Sequence, residues 1–212
     1  LFEKMGLKDG MIKEGKYTYG RGTFYVLRSD PKEFVVKPDN SQKLLDVTKN
    51  LYENNGKSEK LQFKNYFTLT RGNYDLIAVL DESVSNQPYH VKGNLIDLYD
   101  PALPIVTSKN IQPNEQCWFV NLDHIKNTRH PQVLASTSRI YDETPAGHHY
   151  SFTAKSPINT TNISRILLPG KPMSVLVNKK EEFLEANWDT KTKTYLLGFE
   201  NNPDGVRVDI KW

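Results

Sequence analysis

Cysteine is nearly missing from this sequence: Cys117 stands alone, which excludes an internal disulfide. It sits beside Trp118 and Phe119 in an apolar run and reads as a small buried residue, with no positioned base to make it a nucleophile. Long hydrophobic runs are absent too. Nothing approaches eighteen consecutive apolar residues, so no membrane-spanning helix is expected. No signal-peptide pattern is present. Charge of one sign is also missing. The 28 basic and 25 acidic residues leave a net +3 with no like-charged run, which gives no electrostatic case for nucleic acid. There is no parallel βαβ rhythm, no fixed-period repeat and no low-complexity tract.

What is present is β-forming material. The 212 residues are 37% hydrophobic and 11% aromatic, with 11 tyrosines and 9 phenylalanines suited to pleated, half-buried surfaces. A chain of this length buries roughly 70% of the surface exposed when unfolded, so it needs no covalent staple. Turn signals recur every eight to twelve residues or so, as in a sandwich or barrel. The fold class expected is all-β, an antiparallel β-sandwich of immunoglobulin-like or jelly-roll-like type, with one short amphipathic helix.

The helix is placed at about 41–54. Asn40 or Ser41 is expected to cap it, Leu44, Leu45, Val47, Leu51 and Tyr52 form its apolar stripe, and Asn54-Asn55-Gly56 ends it. Residues 1–14 read as a connector and 15–212 as the sandwich domain, with a second break near 125–132. Because the sequence starts at Leu1, it is expected to be entered from a missing upstream domain. Gly20 and Gly22 suggest a bulge, and Phe34-Val35-Val36 a short strand. Tyr74 to Leu80 and Cys117 to Leu122 read as central strands. Asp142 to Gly147 reads as a hairpin loop between Val133–Tyr141 and Tyr150–Ala154. The closing stretch, Trp188 to Trp212, alternates on both sides of Pro203-Asp204-Gly205 and reads as a β-hairpin with one buried face.

Candidate sites are sparse. Asp81 and Glu82 leave the end of a buried strand, where sites are often grafted. Adjacent acids point to opposite faces of a strand, however, so they make a poor acid/base pair. With His90 they form the one constellation from which a small glycan hydrolase could be built. That reading demands two carboxyl groups roughly 5–10 Å apart in a cleft. Trp188 and Trp212, near strand ends, are candidates for stacking on sugar faces, whereas Trp118 reads as core. Asp97, Asp100 and Asp123 are the candidate calcium ligands, though no Asp-x-Asp-x-Asp spacing occurs. His148-His149, His90, His124 and His130 show no zinc-ligand spacing, and no cofactor is expected. Arg21 and Arg71, each before a glycine, read as turn residues. Asn159-Thr160-Thr161 and Asn162-Ile163-Ser164 fit the N-glycosylation pattern.

Three motifs, Arg71–Ser83, Lys92–Pro104 and Lys155–Asn162, together with the closing Trp188–Trp212 stretch, resemble the C-terminal region of large secreted bacterial proteins related to glycoside hydrolases. The likeness spans about residues 5 to 212. It implies a non-catalytic accessory β-sandwich packed against an upstream catalytic domain of the same polypeptide. It also implies a secreted, periplasmic or cell-surface location, and polysaccharide as the nearby ligand. It carries over no catalytic residue. A carbohydrate-binding module in its own right, or a small hydrolase with a loop site near Asp81, are the alternatives.

Overall fold

The computed structural model describes residues 2–8, 10, 12–54, 60–81 and 83–212. Among the described residues it is an antiparallel all-β protein with one helix longer than two turns, the class that the turn spacing predicts. The chain divides into two compact units, 1–63 and 64–212. This division falls later than the boundary expected after residue 14, and residues 1–14 belong to the first unit.

In the first unit, strands β1 (Gly15–Tyr19) and β2 (Gly22–Val26) form a hairpin. Gly20, at φ +59°, supplies the left-handed turn residue, so the glycines here make a tight turn rather than a bulge. Tyr17 stacks on Phe24 with ring centroids 5.4 Å apart. Residues 34–36 are not a strand. They belong to a short helix, α1 (Glu33–Val36), which leads directly into α2 (Pro38–Glu53). Pro38 takes the first helical position, where its missing N–H costs nothing, so α2 starts earlier than expected. The expected caps have another use: Asn40 Nδ2 donates to Glu33 Oε2 at 3.2 Å and the Ser41 hydroxyl donates to the Phe34 carbonyl, tying the two helices together. Asn54 caps the end of α2, while Asn55 and Gly56 lie outside the described residues.

Among its described residues the second unit holds thirteen strands in three sheets. Five form one sheet: β3 (Tyr66–Arg71), β4 (Tyr74–Val79), β5 (Tyr89–Asp97), β6 (Ile105–Ile111) and β7 (Gln116–Asn121), in the order β3-β4-β7-β5-β6. Its concave face buries Ile77, Val79, Leu95, Ile111, Cys117 and Phe119 against one another, so the sheet curls around a core of its own. The curl brings Tyr66 at one end of β3 onto Tyr89 at the start of β5, centroids 4.3 Å apart. β7 is central, as expected. β4 is not buried on both faces, because Tyr74 and Leu80 are exposed. β5 carries a bulge at Gly93–Asn94, where Gly93 adopts φ +149°.

The remaining strands are β8 (Gln132–Ser136), β9 (Arg139–Ala146), β10 (His149–Lys155), β11 (Thr161–Leu167), β12 (Ser174–Val177), β13 (Glu185–Asp189), β14 (Thr194–Glu200) and β15 (Val206–Lys211). They form two four-stranded sheets, β12-β15-β10-β9 and β13-β14-β11-β8. One core unites the two sheets, drawing Tyr150, Phe152, Val208 and Ile210 from the first and Ile166, Leu197 and Phe199 from the second. This is the expected sandwich. The stretch 125–132, where a second break was expected, falls inside the second unit.

Two expected hairpins are corrected. β14 and β15 do not pair: each lies in a different sheet, and the Pro203-Asp204-Gly205 turn carries the chain across the core. The true hairpin is β13–β14, closed by Asp189–Lys193. Alternation reports which side chains face the core, and both sheets of a sandwich face the same core, so an arch and a hairpin look alike in sequence. Asp142–Gly147 is likewise not a loop. Residues 142–146 complete β9, an edge strand paired only with β10, where Pro145 removes no needed hydrogen bond, and Gly147 alone of that stretch lies in the turn into β10. Among the described residues no helix is long and apolar enough to cross a membrane.

Candidate functional site

The alternation in β7 builds a large concave feature of the second unit. Cys117 and Phe119 point into the concave core, and Trp118 and Val120 point the other way. Val120 is covered by the contact with β8 and β11, in a cluster with Ile96 and Leu103. Trp118 lies beyond that cover and is 41% exposed. On the neighbouring strand Tyr74 occupies the same face, its ring centroid 5.9 Å from that of Trp118 and tilted by 59°.

The turn after β5 contributes a third ring. Asp97 Oδ1 accepts from the Tyr99 backbone N–H at 3.1 Å, Asp100 Oδ1 accepts from Ala102 N–H at 2.9 Å, and Leu98 N–H donates to the Trp118 carbonyl at 2.9 Å. These bonds fix the turn that places exposed Tyr99 beside Trp118. Tyr74, Tyr99 and Trp118 line one wall of a groove of about 640 Å³, and Leu134, Ile140 and Glu143 lie on the β8–β9 side. Its size suits a small ligand or a segment of a chain.

The polar side of the groove is ordered from behind. Glu143 Oε2 accepts from the Tyr150 hydroxyl and from the Val133 N–H at 3.2 Å. Burial, with the adjacent Glu143 carboxylate, pushes the Tyr150 phenol far above its ordinary value, so it stays a donor. Ser136 donates to Asn162 Oδ1 at 2.8 Å and Ser138 to Asn201 Oδ1 at 2.7 Å, which stiffens β8 and its exit. β8 is one of the two edge strands of its sheet.

The residues singled out from sequence do not converge. Asp81 is exposed in the loop after β4, and Glu82 lies outside the described residues. His90 Nδ1 sits 2.6 Å from Asn110 Oδ1 on the neighbouring strand. Trp188 and Trp212 are partly buried against the sandwich core rather than displayed. Trp188 also lines a second groove, of about 550 Å³, with Met173, Phe183 and Tyr195 at the open flank of the sandwich. Trp212 covers Gly170.

The candidate calcium ligands are engaged separately. Asp97 Oδ2 is 2.5 Å from Lys109 Nζ, Asp100 caps its own turn, and Asp123 accepts from Asn94 N–H and Nδ2 at 3.1 and 2.7 Å. Among the described residues no three His, Cys, Asp or Glu groups gather as a metal site. His149 Nε2 lies 3.1 Å from Asp209 Oδ1, while the Ser151 hydroxyl is taken by Arg207. Asn162 is fully buried, so of the two glycosylation patterns only Asn159 is displayed.

Tyr74, Tyr99, Trp118 and Glu143 are the groove residues that sequence reasoning does not find. Trp118 reads as core because its neighbours are apolar. The available signal is parity, since Trp118 alternates with Cys117 and Phe119. No protein family, curated protein or solved structure matches this chain.

Proposed function

We propose that this chain is a non-catalytic β-module that binds a saccharide chain in the groove walled by Tyr74, Tyr99 and Trp118. The observation that carries the reading is the exposed aromatic wall itself. Flat rings offer apolar faces that match the C–H faces of pyranose rings, and rigid aromatics give large contact area at low entropy cost. The opposite side offers a carboxylate and an edge strand for hydroxyl groups. The role asks for no reactive group. It fits an accessory module of a carbohydrate-active enzyme, acting beside a catalytic domain on the same polypeptide.

Titration with a panel of plant, microbial and host glycans, by calorimetry and affinity electrophoresis, tests it. Binding at micromolar to millimolar sugar, reduced at least tenfold in Trp118→Ala, is expected. No binding at millimolar sugar, or binding that Trp118→Ala leaves unchanged, would end the reading.

A further inference from the structure

We infer that the groove selects uncharged saccharide chains and rejects acidic ones such as uronate or sulfated polymers. The inference rests on the saccharide reading above and adds a ligand class to it.

Three observations carry it. First, among the described residues lining the groove Glu143 is the one formal charge, and no Lys, Arg or His is present. Anionic sugars are ordinarily bound by guanidinium or ammonium groups in a fork or at a point. This lining has neither. Arg71 stands opposite Tyr74 across β3–β4 but lies outside the lining.

Second, the Glu143 carboxylate is fixed rather than free to swing away. Tyr150 donates to Oε2, and the Val133 N–H is shared between Oε2 and the Tyr150 oxygen, so Oε1 is the oxygen we assign to a ligand hydroxyl. A fixed acceptor favours a donor-rich ligand and repels a second carboxylate or sulfate. Like-charge juxtaposition of this kind is how binding sites discriminate against near relatives.

Third, the apolar wall does not stop at the groove. Phe67, at 59% exposure, shares the convex face with Leu69, Leu76, Tyr74 and Trp118 in adjoining β3, β4 and β7, and Arg71 is on that face at the opposite end of β3 from Phe67. The strand spacing of about 4.8 Å and rise of about 3.4 Å per residue put Phe67 roughly 12 Å from Trp118. That is longer than one sugar ring, so the surface suits a chain of several residues.

The experiment uses the full chain with cellohexaose, mannohexaose and xylohexaose as neutral probes, and hexameric oligogalacturonate, oligoguluronate and a heparin hexasaccharide as acidic probes. Affinities are measured at about 20 mM and again at about 500 mM salt. At least one neutral hexamer is expected to bind at least tenfold more tightly than every acidic one at low salt. The gap should narrow at high salt as repulsion is screened. Glu143→Gln, which keeps one acceptor for Tyr150 and removes the negative charge, should shrink the ratio of neutral to acidic affinities at low salt, whatever it does to neutral binding itself.

An acidic hexamer that matches or exceeds the neutral ones at low salt would overturn this inference and leave the saccharide reading standing. Absence of binding by every probe would remove both. The salt comparison on the unaltered chain decides the matter even if Glu143→Gln fails to fold.

Discussion

The Arg165 guanidinium donates from Nε and from Nη2 to the carbonyl oxygen of Leu103, at 3.2 and 2.8 Å. Arg165 belongs to β11 of the sandwich, and Leu103 to the turn that joins β5 to β6. Both are buried, and Leu103 holds φ +47°, a left-handed conformation that a branched side chain adopts only under constraint. Leu103 packs with Ile96 and Val120 against Leu134 and Ile163, and it also lines the groove. The hydrogen-bonded fork therefore fixes the sandwich and the curled sheet in the arrangement that forms the groove. Burial holds the guanidinium below its ordinary value, opposed by the fields of Asp189 and Glu185, but an arginine stays charged throughout the working range.

Arg165→Met keeps the apolar stem and removes both donors. The Leu103 carbonyl is then left buried without a partner, which costs about 1–3 kcal/mol. Urea unfolding should show that loss as a lower midpoint with unchanged slope. Arg165→Lys should recover only part of it, since one ammonium cannot reproduce the fork. A stability of Arg165→Met equal to that of the unaltered chain would show that the fork does not hold the two β-bodies together.

Adjacent residues of β7 should respond in opposite ways. Phe119 is fully buried, and Phe119→Ala should cost about 3–5 kcal/mol. Trp118 is 41% exposed, so Trp118→Ala should cost well under half of that while abolishing most glycan binding. Thermal or urea unfolding read beside a binding titration separates the two effects. Comparable destabilisation by both variants would mean that Trp118 is a core residue and not a wall of the site.

Much of this architecture is legible in the amino-acid pattern, and the failures share a physical cause. The turn after Arg71, the central place of β7 and a helix expected at about 41–54 and found at Pro38–Glu53 follow from local chemistry, because turn residues and apolar periodicity act within a few positions. The pairing of β13 with β14, and the separation of β14 from β15, depend on which strand lies alongside. Alternation carries no partner information. The end of β9 is not legible because an edge strand needs no apolar side chains, and residues 142–147 are exposed. The groove is hidden for a related reason. Whether Trp118 faces core or solvent is decided by how far β8 and β11 extend over the sheet, and they cover Val120 but not Trp118.

Cys117 provides a check on the curled sheet. It is 4% exposed on the concave face, and burial pushes its thiol above the ordinary value, with Lys109 acting against the shift. A buried protonated thiol reacts slowly. A disulfide-exchange reagent at neutral pH should leave the folded chain almost unmodified over minutes and label one thiol per chain within seconds in denaturant. Rapid labelling of the folded protein would show that this face opens.

The bulge in β5 depends on Asp123. A Cβ added at Gly93 would stand 3.2 Å from Asp123 Oδ2 and 3.3 Å from Leu95 Cδ2, in a backbone conformation that a side chain disfavours. Gly93→Ala should therefore lower stability by about 1–3 kcal/mol, combining overpacking with backbone strain. Circular dichroism during thermal unfolding reads this directly. An unshifted midpoint would mean that the bulge relaxes freely and that Asp123 is no clamp.

Acid should weaken two clamps at once. The Asn94 side chain and backbone hold the Asp123 carboxyl below its ordinary value, and the Thr192 backbone N–H, with its hydroxyl, does the same for Asp189 in the β13–β14 turn. A carboxyl whose folded value is depressed binds its proton more readily in the unfolded chain. Its contribution to stability is complete above the unfolded value near ~4 and is lost as pH falls through the lower folded value. Unfolding midpoints in urea should thus hold between pH 7 and 5 as far as these two groups are concerned, then drop below about pH 4. The double variant Asp123→Asn, Asp189→Asn starts lower at pH 7, because a neutral amide with one oxygen replaces a charged double acceptor. It should then lose less between pH 5 and 3 than the unaltered chain. Parallel acid limbs for the two proteins would show that neither carboxylate is a clamp on the fold.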